Sequence, residues 1–332
     1  MTSGSQIGMT EIEAAARRIA PTIHRTRTER SAALSARAGV PVHLKLEHQQ
    51  RTGSFKLRGA TNAILQLSEA ERARGVIAVS TGNHGRGLAY AARQNGVRCI
   101  VAMSELVPQN KIDGIRAQGA EVRIFGRSQD DAQIEADRLV AESGMTMVPP
   151  FDHPDIIAGQ GTLGLELAED LPDLAMAVVQ LSGGGLISGV AAALKARLPG
   201  IRIVGVSMER GAAMYQCLQA GRPIHVPELP TLADSLGGGI GLDNAHTFAM
   251  TRALVDEVVL VSEAEIAAAI RHAYWQEGQI IEGSGSVGIA AMLAGKLTPT
   301  GPTAILLSGG NIDMALHHRI ISGEDVDVTG GS

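Results

Sequence analysis

Short apolar runs rich in β-branched residues recur along the chain, separated by longer stretches in which apolar residues return every three or four positions. Val76–Ser80, Cys99–Met103, Glu121–Phe125, Val178–Leu181, Arg202–Ser207, Glu257–Val261 and Thr303–Leu307 read as strands, and the stretches between them as helices. Strands separated by helices pair in parallel through crossover connections, so the rhythm predicts an α/β fold of open parallel sheets with ligands at the strand carboxyl ends. Three strands run into glycine-rich turns, Thr81-Gly82-Asn83-His84-Gly85, Ser182-Gly183-Gly184-Gly185 and Ser308-Gly309-Gly310-Asn311, which are expected to form one composite site. The stretch from Gly75 to Val148 reads as a set of βα units closed by Pro149-Pro150. This predicts a small inserted domain, 75–148, within a larger discontinuous one made of 1–74 and 149–332.

A length of 332 residues suits about two domains, and 45% hydrophobic against 19% charged residues is enough to fill both cores. Aromatics make up only 2% while glycines number 40, so recognition is expected to lean on backbone donors rather than on stacking platforms. The net charge of −5 with no basic block argues against a nucleic-acid partner. No leader-like start and no run of about 18 apolar residues occurs, so cytoplasmic residence without a membrane span is expected. Cys99 and Cys217 stand far apart without CxxC spacing and are expected to be buried packing, not a disulfide or a zinc site.

Within Thr52-Gly53-Ser54-Phe55-Lys56-Leu57-Arg58-Gly59-Ala60, a lysine precedes the apolar-periodic stretch Ala63, Ile64, Leu67, as at a helix start. The electropositive helix end, with partial desolvation, lowers a lysine pKa and yields the neutral amine that condenses with a carbonyl. Alone, such a lysine is far more often a solvated surface residue. Ser182-Gly183-Gly184-Gly185-Leu186-Ile187-Ser188-Gly189 joins a strand to a helix and can aim N–H groups at a phosphate; alone it reads equally as a tight turn, and it lacks the GxGxxG pattern. Asn83 and His84 alone would read as capping residues, and Ala158-Gly159-Gln160-Gly161-Thr162 as a flexible helix entry.

Taken in order, the lysine motif, the Asn-His loop, the Ala158–Thr162 segment, the triple-glycine turn and the terminal Ser-Gly-Gly-Asn resemble the fold-type II (tryptophan synthase β-like) pyridoxal-phosphate enzymes, in particular threonine and serine dehydratases and serine racemases. The resemblance covers nearly the whole chain. It implies two open parallel-sheet domains with pyridoxal 5'-phosphate between them, bound covalently by Lys56, the lysine in the motif position that Lys45 and Lys111 do not occupy. It further implies that Phe55, Asn83, Gly183, Gly184, Gly185, Leu186, Glu282 and Ser308 contact the cofactor, with the Asn83 amide on the ring hydroxyl and the Ser308 hydroxyl on the pyridine nitrogen. Ser80, Thr81, Gly82, Asn83 and His84 would surround the substrate carboxylate, His84 in a structural part.

A serine at the ring nitrogen does not enforce a pyridinium, which favours prompt β-elimination from a short-lived carbanion. The implied reaction is therefore removal of water, then ammonia, from a small β-hydroxy amino acid to give a 2-oxo acid, with Lys56 as base. Glu47-His48-Gln49-Gln50-Arg51-Thr52, Ser80–Arg86 and Leu236-Gly237-Gly238-Gly239-Ile240-Gly241 are most similar to the hydroxyectoine-utilisation dehydratase branch, which adds a hydroxyectoine-derived substrate to threonine and serine. Racemisation is the nearest alternative. Thr81 keeps the hydroxyl that racemases place opposite the lysine, but adds a methyl that limits its rotamers. An alternative of another class is a non-catalytic sensor of a phosphate ligand. No metal is expected: Ser207 and Ala213 stand where relatives place carboxylates, Glu209 is a single nearby acid, and the adjacent His317 and His318 share no helix face. A homodimer is implied by the family, and about ten residues after Ile321 leave no room to expect a feedback-regulatory domain.

Overall fold

A computed structural model of the chain describes residues 7–80, 82–107 and 109–328. In chain order the elements begin α1 (Met9–Ile19), β1 (Thr28–Ser31), α2 (Ala32–Ala38), β2 (Val42–Lys45), α3 (Lys56–Gln66), α4 (Glu69–Arg74), β3 (Val76–Val79), α5 (Asn83–Gln94), β4 (Cys99–Met103), α6 (Gln109–Arg116), β5 (Glu121–Ile124), α7 (Gln129–Ser143) and β6 (Thr146–Met147). They continue with α8 (Pro154–Asp170), β7 (Met176–Gln180), α9 (Gly185–Arg197), β8 (Arg202–Met208), α10 (Ala213–Ala220), α11 (Thr247–Leu254), β9 (Glu257–Val261), α12 (Glu263–Trp275), α13 (Gly283–Leu293), β10 (Thr303–Leu306) and α14 (Met314–Ile321).

The strands form a six-stranded sheet in the order β1-β2-β10-β7-β8-β9 and a four-stranded sheet in the order β5-β4-β3-β6. The smaller sheet is parallel throughout, whereas in the larger one β1 runs antiparallel to β2. The expected open parallel sheets are present, with one antiparallel strand added at that edge. Only the short α2 and its turns separate Ser31 from Val42, fewer residues than the dozen or so that a parallel crossover needs.

Central strands are apolar on both faces because helices cover both. Along β7, Met176 and Val178 enter one core with α12 and α13, while Ala177 and Val179 enter another with α9. Along β4, Cys99, Val101 and Met103 join one core of the smaller sheet, and Ile100 and Ala102 its other. The alternation is the two-residue period of a strand packed from both sides. Burial pushes the Cys99 thiol pKa up to about 12, so this cysteine is inert packing.

The segment Ala158–Thr162 does not open a helix; it lies inside α8. A Cβ at Gly159 would stand 2.6 Å from the Gly59 Cα and 2.8 Å from the Arg58 carbonyl oxygen, so α8 and α3 cross almost backbone to backbone. Gln160 accepts a hydrogen bond from the Gly59 N–H at 3.2 Å across the same crossing. Among the described residues no helix is long and apolar enough to cross a membrane.

Candidate active site

The carboxyl ends of β3, β7 and β10 lead into the three glycine-rich turns, and the start of α3 is tied to the last of them. Ser54 bridges Gly309, the Phe55 N–H donates to the Ser308 carbonyl at 3.0 Å, and the Gly310 N–H donates to the Gly53 carbonyl at 2.9 Å. Lys56 is thereby held as the first residue of α3, beside Ser308. Phe55, Lys56, Asn83, Gly183, Gly184, Gly185, Leu186, Glu282 and Ser308 all line one cleft. Of the five residues expected around a substrate carboxylate, only Asn83 lines it; Thr81 lies outside the described residues.

The Lys56 ammonium donates to the Pro150 carbonyl at 2.7 Å and lies 5.3 Å from the centre of the Phe55 ring. Among the described residues no carboxylate forms an ion pair with it, and desolvation pushes its pKa down to about 8. Of the groups lining the cleft, Lys56 is the nucleophilic amine.

Gly184 caps α9 with φ +88°, a conformation that strains any side chain, and a Cβ there would stand 2.9 Å from the Met214 methyl. The Phe151 ring lies against the turn, 2.4 Å from where a Gly183 Cβ would be. The three glycines of the turn line the cleft at the N-terminus of α9 and carry no side chains of their own, an arrangement suited to an anion.

At the start of α5, Asn83 Nδ2 donates to Glu282 Oε1 at 2.6 Å, and Asn83 Oδ1 accepts from Asn311 Nδ2 at 2.6 Å. The second Glu282 oxygen accepts from the Asn311 N–H at 3.1 Å. Glu282 is 5% exposed, and desolvation together with the Asp234 charge pushes its pKa up to about 7. Behind the loop, Ser80 Oγ accepts from the N–H groups of Gly82 and Gly85, holding the turn. The His84 ring is bonded through Nε2 to the Val148 carbonyl at 2.9 Å, and desolvation, aided by the Lys56 charge, pushes its pKa down to about 3. His84 is a neutral support of the loop.

Several further residues line the cleft: Ser182 and Leu236, which belong to motifs noted above, and Phe151, Gln180, Ser235 and Ser284, which were not singled out. Gln180 Nε2 donates to the carbonyls of Leu306 and Gly285, which turns its Oε1 away as an acceptor with no partner, and Ser284 Oγ is likewise buried and unpartnered. Ser284 had a readable signal, the small-residue run Gly283-Ser284-Gly285-Ser286 opening a helix. Gln180 had none, because burial of a strand's last side chain depends on its neighbours.

Glu209 pairs with Lys296 at 3.5 Å, Ser207 donates to the Met208 sulfur, and His317 packs edge-on against Tyr274 at 5.4 Å. Among the described residues, no group of three or more His, Cys, Asp or Glu is arranged to hold a metal ion.

Residues 19–309 match the family model described as "Pyridoxal-phosphate dependent enzyme". The chain is 60% identical over 324 residues to a Sinorhizobium fredii protein named "Putative threonine dehydratase", covering 97% of this chain and 98% of the relative. It is 43% identical over 317 residues to the L-threonine ammonia-lyase of Thermotoga maritima, covering 95% of this chain and 78% of that one. The solved structure of maize serine racemase superposes with a TM-score of 0.89 at 32% identity, over 95% of this chain and 97% of that one.

Proposed function

Since the chain belongs to the pyridoxal-phosphate dependent enzymes of fold type II and is a lyase with dehydratase chemistry, we propose that it removes water and then ammonia from a small β-hydroxy amino acid. The observation that carries this reading is the meeting, in one cleft, of an unpaired desolvated amine, a bare helix N-terminus, and hydroxyl and amide groups. Threonine and serine are the first candidates. A hydroxyectoine-derived substrate is the narrower one, supported by the motif resemblance alone.

The cleft suits the cofactor on its own chemistry. The turn at Gly183–Leu186 offers backbone donors to a phosphate, and the buried unpartnered atoms Ser284 Oγ and Gln180 Oε1 call for polar atoms on whatever fills the space beside Ser308. Pyridoxal phosphate, when bound, supplies a carbonyl carbon for the substrate amine and a ring that delocalises the electron pair left at Cα. Lys56 Nζ would hold the cofactor, and its freed amine would serve as the base for the Cα proton. Its pKa of about 8 keeps a useful neutral fraction near pH 7 and still leaves a base strong enough to work. The loop leading into α5, of which Asn83 lines the cleft, would hold the substrate carboxylate, and the Ser308 hydroxyl would serve the ring nitrogen without forcing protonation. With this reading goes the division into 1–74 with 149–332 and 75–148, the cleft taking Lys56 from the first part and Asn83 from the second.

The test is a screen of β-hydroxy amino acids that follows 2-oxo acid, ammonia and product chirality together. Stoichiometric oxo acid and ammonia supports the lyase; faster appearance of the D-enantiomer from an L-substrate supports a racemase, the reading favoured by the likeness to maize serine racemase. Protein that binds cofactor but turns over nothing in the screen would overturn both.

A further inference from the structure

We propose that Glu282 is a positioning residue: it fixes the Asn83 amide so that one N–H faces the cofactor, and the Lys111–Asp234 ion pair at the cleft rim sets its charge. The inference rests on the cofactor reading above and adds the group that acts behind Asn83.

The Asn83 amide has only one tolerable orientation. Its Nδ2 meets a carboxylate oxygen of Glu282 and its Oδ1 meets the Asn311 Nδ2, each at 2.6 Å. Asn311 is itself fixed, donating from Nδ2 to the Thr52 carbonyl at 2.9 Å and accepting at Oδ1 from Arg86 Nη1 at 2.8 Å. A flipped Asn83 would set two donors against each other at Asn311 and a carbonyl against the carboxylate at Glu282. Held as it is, Asn83 uses one Nδ2 hydrogen on Glu282 and keeps the second for an acceptor in the cleft that it lines.

Glu282 serves this purpose best as a carboxylate, because both its oxygens accept: Oε1 from Asn83 and Oε2 from the Asn311 N–H. Protonation converts one oxygen into a donor and breaks the pattern. Desolvation and the Asp234 charge favour the protonated form, Asn83, Asn311 and Lys111 favour the ionised one, and the balance lies at about 7. The charged groups that act on Glu282 or share its cleft come from four elements: Lys56 from α3, which the bound cofactor would engage, Arg86 from α5, Lys111 from α6, and Asp234 from the short turn at 234–236. The first turn of α13 adds no acid. Lys111 Nζ and Asp234 Oδ2 pair at 2.5 Å, joining α6 to the segment whose next residues, Ser235 and Leu236, line the cleft. The pair therefore stands next to the cleft wall in sequence, and its two charges of opposite sign act on Glu282 in opposite directions.

The experiment is a pH titration of the visible absorbance of the cofactor-loaded protein between about pH 5 and 9, with cofactor retention on dialysis as a second readout. The wild type is expected to show a spectral transition near pH 7. Asp234→Asn should move the midpoint down and Lys111→Met should move it up, each by a fraction of a unit because both side chains are part-exposed and screened. Glu282→Gln should abolish the transition and weaken retention on the order of tenfold. Asn83→Ala should flatten it too, since Glu282 would then have no amide to hold. An unchanged midpoint in Glu282→Gln overturns the proposal. So does movement of the midpoint in the same direction by both rim variants, a result still readable if Glu282→Gln does not fold. Wild-type protein that loads cofactor and releases ammonia yet shows no transition defeats this inference alone; protein that cannot load defeats the lyase reading.

Discussion

At Lys56, the first residue of α3, burial acts on the amine. Desolvation lowers its pKa to about 8, and its hydrogen bond runs to a carbonyl, which offers the charge no ion pair. The neutral amine is the form that attacks a carbonyl, and it grows as pH rises through that value. Cofactor-free protein should therefore take up pyridoxal phosphate about fivefold faster at pH 8 than at pH 7, followed by stopped-flow absorbance. A rate flat across this interval would mean that the amine is not the titrating partner. Lys56→Ala should lose turnover and the visible, borohydride-sensitive band, while far-ultraviolet circular dichroism shows the fold retained. At this scale the site was legible where chemistry is spelled in consecutive residues. The lysine motif and the glycine turns gained their reading from the family resemblance of their order along the chain, not from spacing alone; Gln180 and Phe151 enter the cleft as single side chains, placed by tertiary packing that no local pattern records.

Among the elements, β4 occupies the predicted span Cys99–Met103, because a run buried on two sides must be continuously apolar or small. β9 occupies the predicted span Glu257–Val261 as an edge strand with only Val259 and Val261 buried, its β-branched run supplying the signal. β1 is Thr-Glu-Arg-Ser at a sheet edge and β6 is two residues long, so neither leaves a hydrophobic signature. The Ala158–Thr162 segment shows the opposite failure: glycines that suggest flexibility serve here to bring two helices together. Gly159→Ala tests this, because its Cβ has no room against Gly59 and the helices must separate. We expect a loss of about 1–3 kcal/mol in urea unfolding, the usual cost of overpacking, and weaker cofactor retention, because α3 begins with Lys56. An unchanged midpoint of unfolding would show that the crossing relaxes without cost.

For the molecule as a whole, the cofactor helix is anchored by charges rather than by apolar contacts alone. Arg58, two residues beyond Lys56 and fully buried, donates to Glu47 Oε1 at 2.7 Å and to Glu166 Oε1 at 2.6 Å; Lys45 Nζ pairs with Glu166 at 2.8 Å and donates to the Thr26 carbonyl at 2.8 Å. The cluster joins the segment before β1, β2, the turn after it, α3 and α8, parts of the chain up to 108 residues from Arg58 in sequence. Burial disfavours ionisation of Glu47, but Arg58, Thr26 and Lys45 outweigh it and hold its pKa below the ordinary 4.5. A carboxylate with a depressed folded-state pKa contributes stability that is full above its unfolded value and is lost as pH falls through the folded one. Acid should therefore unfold the chain progressively below about pH 4.5, with the cluster contributing to the slope. Arg58→Met removes the shared partner and leaves Glu47 and Glu166 facing each other without it, for which a loss of about 3–5 kcal/mol is expected. Adding Glu47→Gln should return part of that loss and flatten the acid limb, since one buried carboxylate no longer needs a counterion. The measurement is urea unfolding of the two variants and the wild type at about pH 7 and at about pH 4, on either side of the window in which the Glu47 contribution is lost. Stability of Arg58→Met within about 1 kcal/mol of wild type would show that the cluster is solvated in the folded state and does not anchor α3.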